Sequence, residues 1–380
     1  MRIGLDGIPL GEIKTGVGHY TYELAHALAC IAREDEFALV SPFPYATASK
    51  DEAALSLPSN LHFIQAKVNR LQRRRWWSLG LPLYVKRGAF SLFHGTNYDV
   101  PLWNRCRTIA TIHDLSILLY PETHETHLVR RARWRLPKMA RAATMIITPS
   151  ESVRREVGEH LGIELNKVVA IPEAARRSFR RVPVGETSGV LRRLRIEDEF
   201  ILFVGTIEPR KNLLTLARAF DEILRTTPLR PQLVIAGKEG WLTEELFAYL
   251  KSSHIEERVR FTGYVSDEDL RALYSACRAF VYPSLYEGFG LPPLEAMACG
   301  APVVTSRSPS IMETVGDAAR LVSPTDFREL AQTIISLLTD SGERAYRSSV
   351  GLRRAAQFSW ERTAAATLSV YRDALKRAER

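Results

Sequence analysis

Residues 281–305, VYPSLYEGFGLPPLEAMACGAPVVT, constrain the fold of this chain more than any other stretch. An apolar run ending near Ser284 leads into a glycine-spaced loop, Glu287-Gly288-Phe289-Gly290. Pro292 and Pro293 then suit the first turn of a helix, where amide hydrogens have no intrahelical partner to lose. Gly300 suits the position just past its end, and APVVT starts a new apolar run. Strand, tight loop, bracketed helix and strand make the repeating unit of an α/β fold. The loop also has a chemical use, because glycines let the backbone approach a ligand and the helix N-terminus attracts phosphate oxygens. Glu287 in the loop and Glu295 one turn inside the helix can face one ligand from two heights. An ordinary strand-loop-helix with Glu295 complementing the dipole fits the spacing equally well.

The same alternation runs through the chain. MRIGLDGIPL reads as a strand, followed by a loop with Gly11, Gly16 and Gly18 and a helix from near His19 with Tyr20, Leu24, Ala27, Leu28 and Ile31 on one face. Short apolar strands follow at 37–43, 61–67 and 91–98. A further strand ends at His113-Asp114, and the carboxyl end of a buried strand is where open α/β sheets place their sites. A histidine satisfied locally by Asp114 is the plainer reading. Residues 175–198, with RRSFRR and then Pro183, Gly185 and Gly189, read as an interdomain connection with a short helix from Gly189-Val190 through Leu194. In FILFVGTIEPRKNLLTLARAF, Arg210 and Lys211 stand at a helix N-terminus, where cations oppose the dipole unless an anion lies between them. Their placement argues for a bound phosphate, against the alternative of an exposed basic loop. Asp267-Glu268-Asp269 has the form of a metal-binding D-x-D, but Ser266 as N-cap before three first-turn acids accounts for it without metal.

Taken together, Glu287, the seven residues to Glu295, the glycines between them and the following GAPVVT closely resemble the signature of the retaining glycosyltransferases of family 4. That resemblance implies the α/β GT-B fold: two Rossmann-like parallel-sheet domains facing a deep cleft, with a C-terminal helix crossing back to the first. On it, the domains are 1–174 for the acceptor, a hinge at 175–198, 199–357 for the nucleotide sugar, and the returning helix 358–380. It further implies Glu287 beside the donor sugar and diphosphate, with Gly288, Phe289, Gly290 and Leu291 around them and Glu295 on the ribose. Gly16 and Gly18 would line the site, and His113 would approach the donor sugar. Family members carry an arginine directly after the glycine of the second phosphate loop and a lysine five residues later, both on the leaving diphosphate. Here Lys211 fills the lysine position after Gly205, Thr206 replaces the arginine, and Arg210 is expected to supply the guanidinium. The base would lie against Gly237-Lys238 and Tyr264-Val265. One departure stands out: where the family usually reads asparagine-glycine after a proline, this chain has Glu173-Ala174, which is assigned no role. The TIEPRKN loop looks most like bacterial mannosyl- and rhamnosyltransferases of surface polysaccharides, implying GDP-mannose as donor, a glycan or lipid-linked glycan as acceptor, and no metal or cofactor. UDP-sugars stay open. A nucleotide-sugar epimerase shares the architecture but is not expected to combine Glu287, Glu295 and the PRKN segment.

Charge bears on partners. Of the net +9, residues 1–200 carry +8, concentrated at Arg70, Arg73, Arg74 and Arg75 before Trp76-Trp77, and at Arg130, Arg131, Arg133 and Arg135 around Trp134. Arginine interleaved with tryptophan can seat a surface on anionic lipid, bind nucleic acid, or be a solvated face. Nucleic acid leaves the paired glutamates without a purpose. No apolar run reaches the ~20 residues that cross a bilayer, and Asp6, Glu12 and Lys14 interrupt any leader, so the expectation is a cytoplasmic protein, peripheral at most on the inner membrane face. Cys30, Cys106, Cys277 and Cys299 show no paired spacing and read as buried free thiols.

Overall fold

The structure, a computed structural model, describes residues 1–11, 15–45, 57–88, 90–103 and 106–377. It divides into two compact units: Met1–Leu119 with Glu125–Arg176 and Phe358–Arg380, and Tyr120–His124 with Arg177–Gln357. The first contains β1 (Arg2–Asp6), β2 (Glu36–Ser41), β3 (Leu61–Gln65), β4 (Leu92–Gly95), β5 (Arg107–Thr111), β6 (Met145–Thr148) and β7 (Val168–Ala170). The second contains β8 (Phe200–Val204), β9 (Gln232–Ala236), β10 (Val259–Gly263), β11 (Ala279–Tyr282), β12 (Val303–Ser306) and β13 (Arg320–Val322). Strand orders are β3-β2-β1-β4-β5-β6-β7 and β10-β9-β8-β11-β12-β13. Every recorded pairing is parallel, so central strands read as buried apolar runs, as Phe200, Ile201, Leu202 and Phe203 show, while the edge strands β3 and β10 are only partly buried.

The helices that position the site are α1 (Gly16–Ile31), α2 (Thr126–Ala142), α3 (Glu151–Leu161), α4 (Val184–Leu194), α5 (Leu213–Thr226), α6 (Asp267–Ala276), α7 (Leu291–Ala298) and α8 (Trp360–Lys376). α8 belongs to the first unit. Its stripe of Trp360, Ala364, Leu368 and Tyr371 shares one core with Tyr20, Leu24, Ala27 and Leu28 of α1, and the Trp360 indole donates to the Ala175 carbonyl at 3.0 Å. Each large side chain buried there contributes about 1.5–3 kcal/mol. Two caps fall where the residues place them: the Ser150 hydroxyl accepts from the Val153 amide (3.2 Å) and the Ser266 hydroxyl from the Asp269 amide (3.1 Å). Asp269 also pairs with Arg193, so the D-x-D acids serve the helix.

Local readings differ from the structure in three places. α1 begins at Gly16, so Gly16 and Gly18 lie in its first turn and not in the preceding loop, of which residues 12–14 fall outside the described set. Residues 177–198 cluster with the second unit, and the helix expected from Gly189-Val190 to Leu194 starts earlier, running over three turns as α4 with Val190 and Leu191 buried. Packing of those two side chains outweighs the poor helix propensity of Gly185, Thr187, Ser188 and Gly189. Of the cysteines, Cys277 and Cys299 are buried, whereas Cys30 is exposed at the polar end of α1; all four are free thiols.

Candidate active site

Both sheets reverse their strand order once, between β1 and β4 and between β8 and β11. Helices leaving the strands to either side of such a point splay apart, opening a crevice at the carboxyl ends. In the second unit Arg210, Lys211 and Glu287 follow the two strands at this point, and in the first His113 and Glu173 follow β5 and β7.

In the second unit the centre is Glu287. Its Oε1 receives the Lys211 ammonium at 2.6 Å, the Ser284 hydroxyl at 2.6 Å and the Tyr282 hydroxyl at 2.9 Å, with the Arg210 guanidinium at 3.2 Å. Arg210 also pairs with Glu208 (2.7 Å) and donates to the Tyr286 carbonyl (3.0 Å), while Lys211 donates to the Tyr282 hydroxyl (2.8 Å). Lys211, Glu287 and Glu208 are each under a tenth exposed. Burial alone pushes the Glu287 carboxyl up, but Lys211 and Arg210 outweigh it and hold the group at about 2. Burial, followed by repulsion from Arg210, lowers the Lys211 ammonium, against the pull of Glu287 and Glu208. The two cations that pointed to phosphate at the sequence level thus already face protein carboxylates. What is left over is specific. An ammonium has three N–H groups, Lys211 spends two, and among the described residues no hydrogen bond falls on Glu287 Oε2. One cationic donor and one carboxylate acceptor stand side by side.

Local sequence explains the placement. Lys211 closes a 3-10 turn (Pro209–Lys211), and Asn212, in the left-handed region at φ 59°, swings the chain into α5. Its side-chain amide ties that turn to the Pro283 carbonyl (3.0 Å) and the Pro324 carbonyl (2.6 Å), so the cations are held against the β11 loop. Gly205 ends β8 with its carbonyl packed against Gly237, where a Cβ would lie 2.0 Å from that oxygen; only glycine fits. Thr206, half-buried beside Gly205, carries no charge to replace the expected arginine. Gly290 precedes α7 at φ 100°. Pro292 and Pro293 have no amide hydrogen and the Leu294 amide bonds to the Gly290 carbonyl (3.2 Å), so the donors at this helix start reduce to the Gly290 and Leu291 amides. Gly288 and Phe289 are buried in the loop, with the Ser310 hydroxyl on the Glu287 carbonyl and the Thr314 hydroxyl on the Phe289 carbonyl at 2.6 Å. Glu295 is buried on α7. Lys238 and Tyr264 are exposed and Val265 half-buried, at the ends of β9 and β10. Among the described residues no group of three or more His, Cys, Asp and Glu could hold a metal ion.

In the first unit His113 follows β5, but Asp114 does not satisfy it: Asp114 accepts from the Ser116 amide (2.8 Å) and hydroxyl (2.7 Å). The His113 Nδ1 faces Glu173 at 2.9 Å and its Nε2 faces the Thr96 carbonyl at 2.8 Å, with the Tyr20 ring edge-on at 4.7 Å. Glu173, assigned no role from the sequence, is 3% exposed and faces His113, a contact that only its departure from the family's asparagine could have flagged. Behind it, Thr111 links the Tyr20 hydroxyl (3.0 Å) to His94 (2.8 Å), whose other nitrogen meets the Tyr371 hydroxyl of α8 at 2.7 Å. A cavity of about 370 Å³ opens on His113, Asp114, Asn97, Tyr98 and Trp77. Gly16 is exposed and Gly18 buried at the start of α1.

Comparison with known proteins agrees in both halves. Residues 14–175 match the family model described as Glycosyltransferase Family 4, and residues 192–352 match that of Glycosyl transferases group 1. The O-antigen chain mannosyltransferase B of Escherichia coli is 33% identical over 98% of this chain and 100% of its own length. The MMP alpha-(1->4)-mannosyltransferase of Mycolicibacterium hassiacum is 31% identical over 99% of each. Among solved structures, Anabaena HepE in complex with UDP superposes with a TM-score of 0.72 at 20% identity, covering 98% of this chain and 99% of that one.

Proposed function

This chain belongs to the family 4, group 1 glycosyltransferases and has their GT-B fold, and on that premise we propose that it transfers mannose from GDP-mannose to a hydroxyl of a growing surface glycan or lipid-linked glycan. The observation that carries the reading is the unspent donor-acceptor pair of Lys211 and Glu287, set at the β8/β11 switch point beside Arg210 and the Gly290 and Leu291 amides. The bond from the anomeric carbon to the β-phosphate oxygen breaks, and the acceptor oxygen bonds to that carbon from the same face. The acceptor's proton passes to the departing phosphate, so configuration is retained without a protein nucleophile. Negative charge grows on the diphosphate as it leaves, and the fixed cations and amides meet it in place of a metal. Glu287 Oε2 accepts from a sugar hydroxyl, Glu295 from the ribose, and the turns at Lys238 and at Tyr264-Val265 receive the base. Relatives named as mannosyltransferases support the donor sugar. A thermal-shift panel of GDP, UDP, ADP and dTDP tests the nucleotide: GDP at one hundred times its dissociation constant adds about 2.7 kcal/mol. A larger shift with UDP would replace the donor, and none with any of the four would remove the reading.

The same proposal places the acceptor at a membrane surface, with the protein on its cytoplasmic face. Among the described residues no helix is long and apolar enough to cross a membrane. On the first unit, however, Trp134 is 68% exposed, Leu71 57% and Trp103 47%, among Arg70, Arg73, Arg74, Arg130 and Arg133. Arg135 lies over the Trp77 ring at 5.6 Å and the Trp103 indole donates to the Ser78 carbonyl at 2.7 Å, which draws α2 and the tryptophan segment onto one face. Each arginine near an anionic surface contributes about 1 kcal/mol. The protein is expected to co-sediment with vesicles containing phosphatidylglycerol and to be released by salt; equal recovery with neutral vesicles would argue against it.

A further inference from the structure

The His113 ring is held between two acceptors. The Thr96 carbonyl can only accept, and on the other side stands the Glu173 carboxyl. A neutral imidazole has one N–H to offer, so in that form with an ionised Glu173 one nitrogen lone pair would point at an oxygen lone pair 2.8–2.9 Å away. The Tyr20 ring packs edge-on against the imidazole at 4.7 Å and favours this orientation. From these contacts we propose that Glu173 is a positioning residue that keeps His113 doubly protonated, so that His113 presents a standing positive charge and not a general base to the cavity it lines.

The groups around the ring agree. From β7's exit comes Glu173, and from His113's own loop Asp114, both favouring the charged ring. From α1 comes the Tyr20 hydroxyl, un-ionised because burial raises it. From β4 comes His94, whose burial lowers it to about 3; it is neutral and does not repel a neighbouring cation. Burial of His113 works the other way and is outweighed, leaving the ring above its ordinary value. A family asparagine in place of Glu173 could hydrogen-bond the ring but could not fix its charge.

The test is nitrogen NMR of the full-length protein with labelled histidine, combined with pH-rate profiles. In the wild type both His113 nitrogens should resonate together at the protonated-ring position from pH 6 to 8. In Glu173→Gln they should split into one protonated and one bare nitrogen near neutral pH, with the ring still hydrogen-bonded to Thr96. Transfer by the variant should fall about 10²-fold at pH 8, the low end for losing one fixed electrostatic group at a site, and recover on acidification to pH 6, while the wild type stays level. Split resonances in the wild type at pH 7, or a variant whose rate is low but independent of pH, would overturn the assignment. The kinetic arm rests on the proposed transfer reaction. The spectroscopic arm does not, so a failure to find the donor leaves the charge of His113 decidable on the wild type alone.

Discussion

Lys211→Ala is expected to lower kcat/KM for sugar transfer by roughly 10²–10³-fold, about 3–4 kcal/mol, the loss typical of removing one preorganised donor to a developing anion. Lys211 follows β8 with one N–H unspent, and among the described residues no other ammonium touches Glu287. Its hydration was given up in folding, so nothing has to reorganise when the leaving diphosphate gains charge. The loss should appear in kcat more than in KM, because the charge it meets grows only as the glycosidic bond breaks. The variant should remain folded, since Arg210 at 3.2 Å still neutralises the Glu287 carboxylate. Wild-type turnover should be unchanged by EDTA, because the cations are covalent parts of the chain. A Lys211→Ala rate within threefold of wild type, or a wild-type rate that collapses with chelator and returns with Mg²⁺, would shift the electrostatic work to another group.

The alternation of strand and helix, and the loop that carries Glu287, could be read from the residues because parallel sheets demand apolar runs and helices announce their ends with proline and glycine. The family resemblance pointed to Arg210, Lys211 and Glu287, which the structure joins within 3.2 Å. Three things were not legible, each for a physical reason. The carboxylates that face the cations are a matter of tertiary approach: Glu208 lies two residues from Arg210 but Glu287 lies 76 residues from Lys211, and no periodicity links them. Which amides α7 leaves open depends on those the helix itself uses, and the Leu294 amide goes to the Gly290 carbonyl. The His113–Glu173 pair spans 60 residues between two strand ends. At the sequence level Glu173 was one acid in a turn of unfamiliar form. Its meaning appeared only when β5 and β7 brought both side chains to the same edge of one sheet.

Glu287→Gln is expected to cost about 3–5 kcal/mol of stability, the range for removing one partner of a buried ion pair. Gln keeps a carbonyl oxygen for the Tyr282 and Ser284 hydroxyls, so shape and hydrogen bonding are largely preserved; what goes is the negative charge that faces Lys211 and Arg210. The acid titration gives a consistent scale. Holding a carboxyl from 4.5 down to about 2 corresponds to about 3 kcal/mol at 1.36 kcal/mol per pH unit. The sign follows from which state binds the proton. Between those values the unfolded chain takes it up and the folded one does not, so the contribution is whole above pH 4.5 and is lost as the pH falls toward 2. Urea midpoints for the two proteins should therefore lie far apart at pH 7 and converge between pH 4.5 and 2. Adding Lys211→Met to Glu287→Gln should recover part of the loss, because the double variant leaves one buried cation, Arg210, with Glu208 still at 2.7 Å. Equal stability of Glu287→Gln and wild type at pH 7 would mean the cluster is hydrated in solution, and with it would go the low-dielectric setting that gives Lys211 its leverage on the leaving diphosphate.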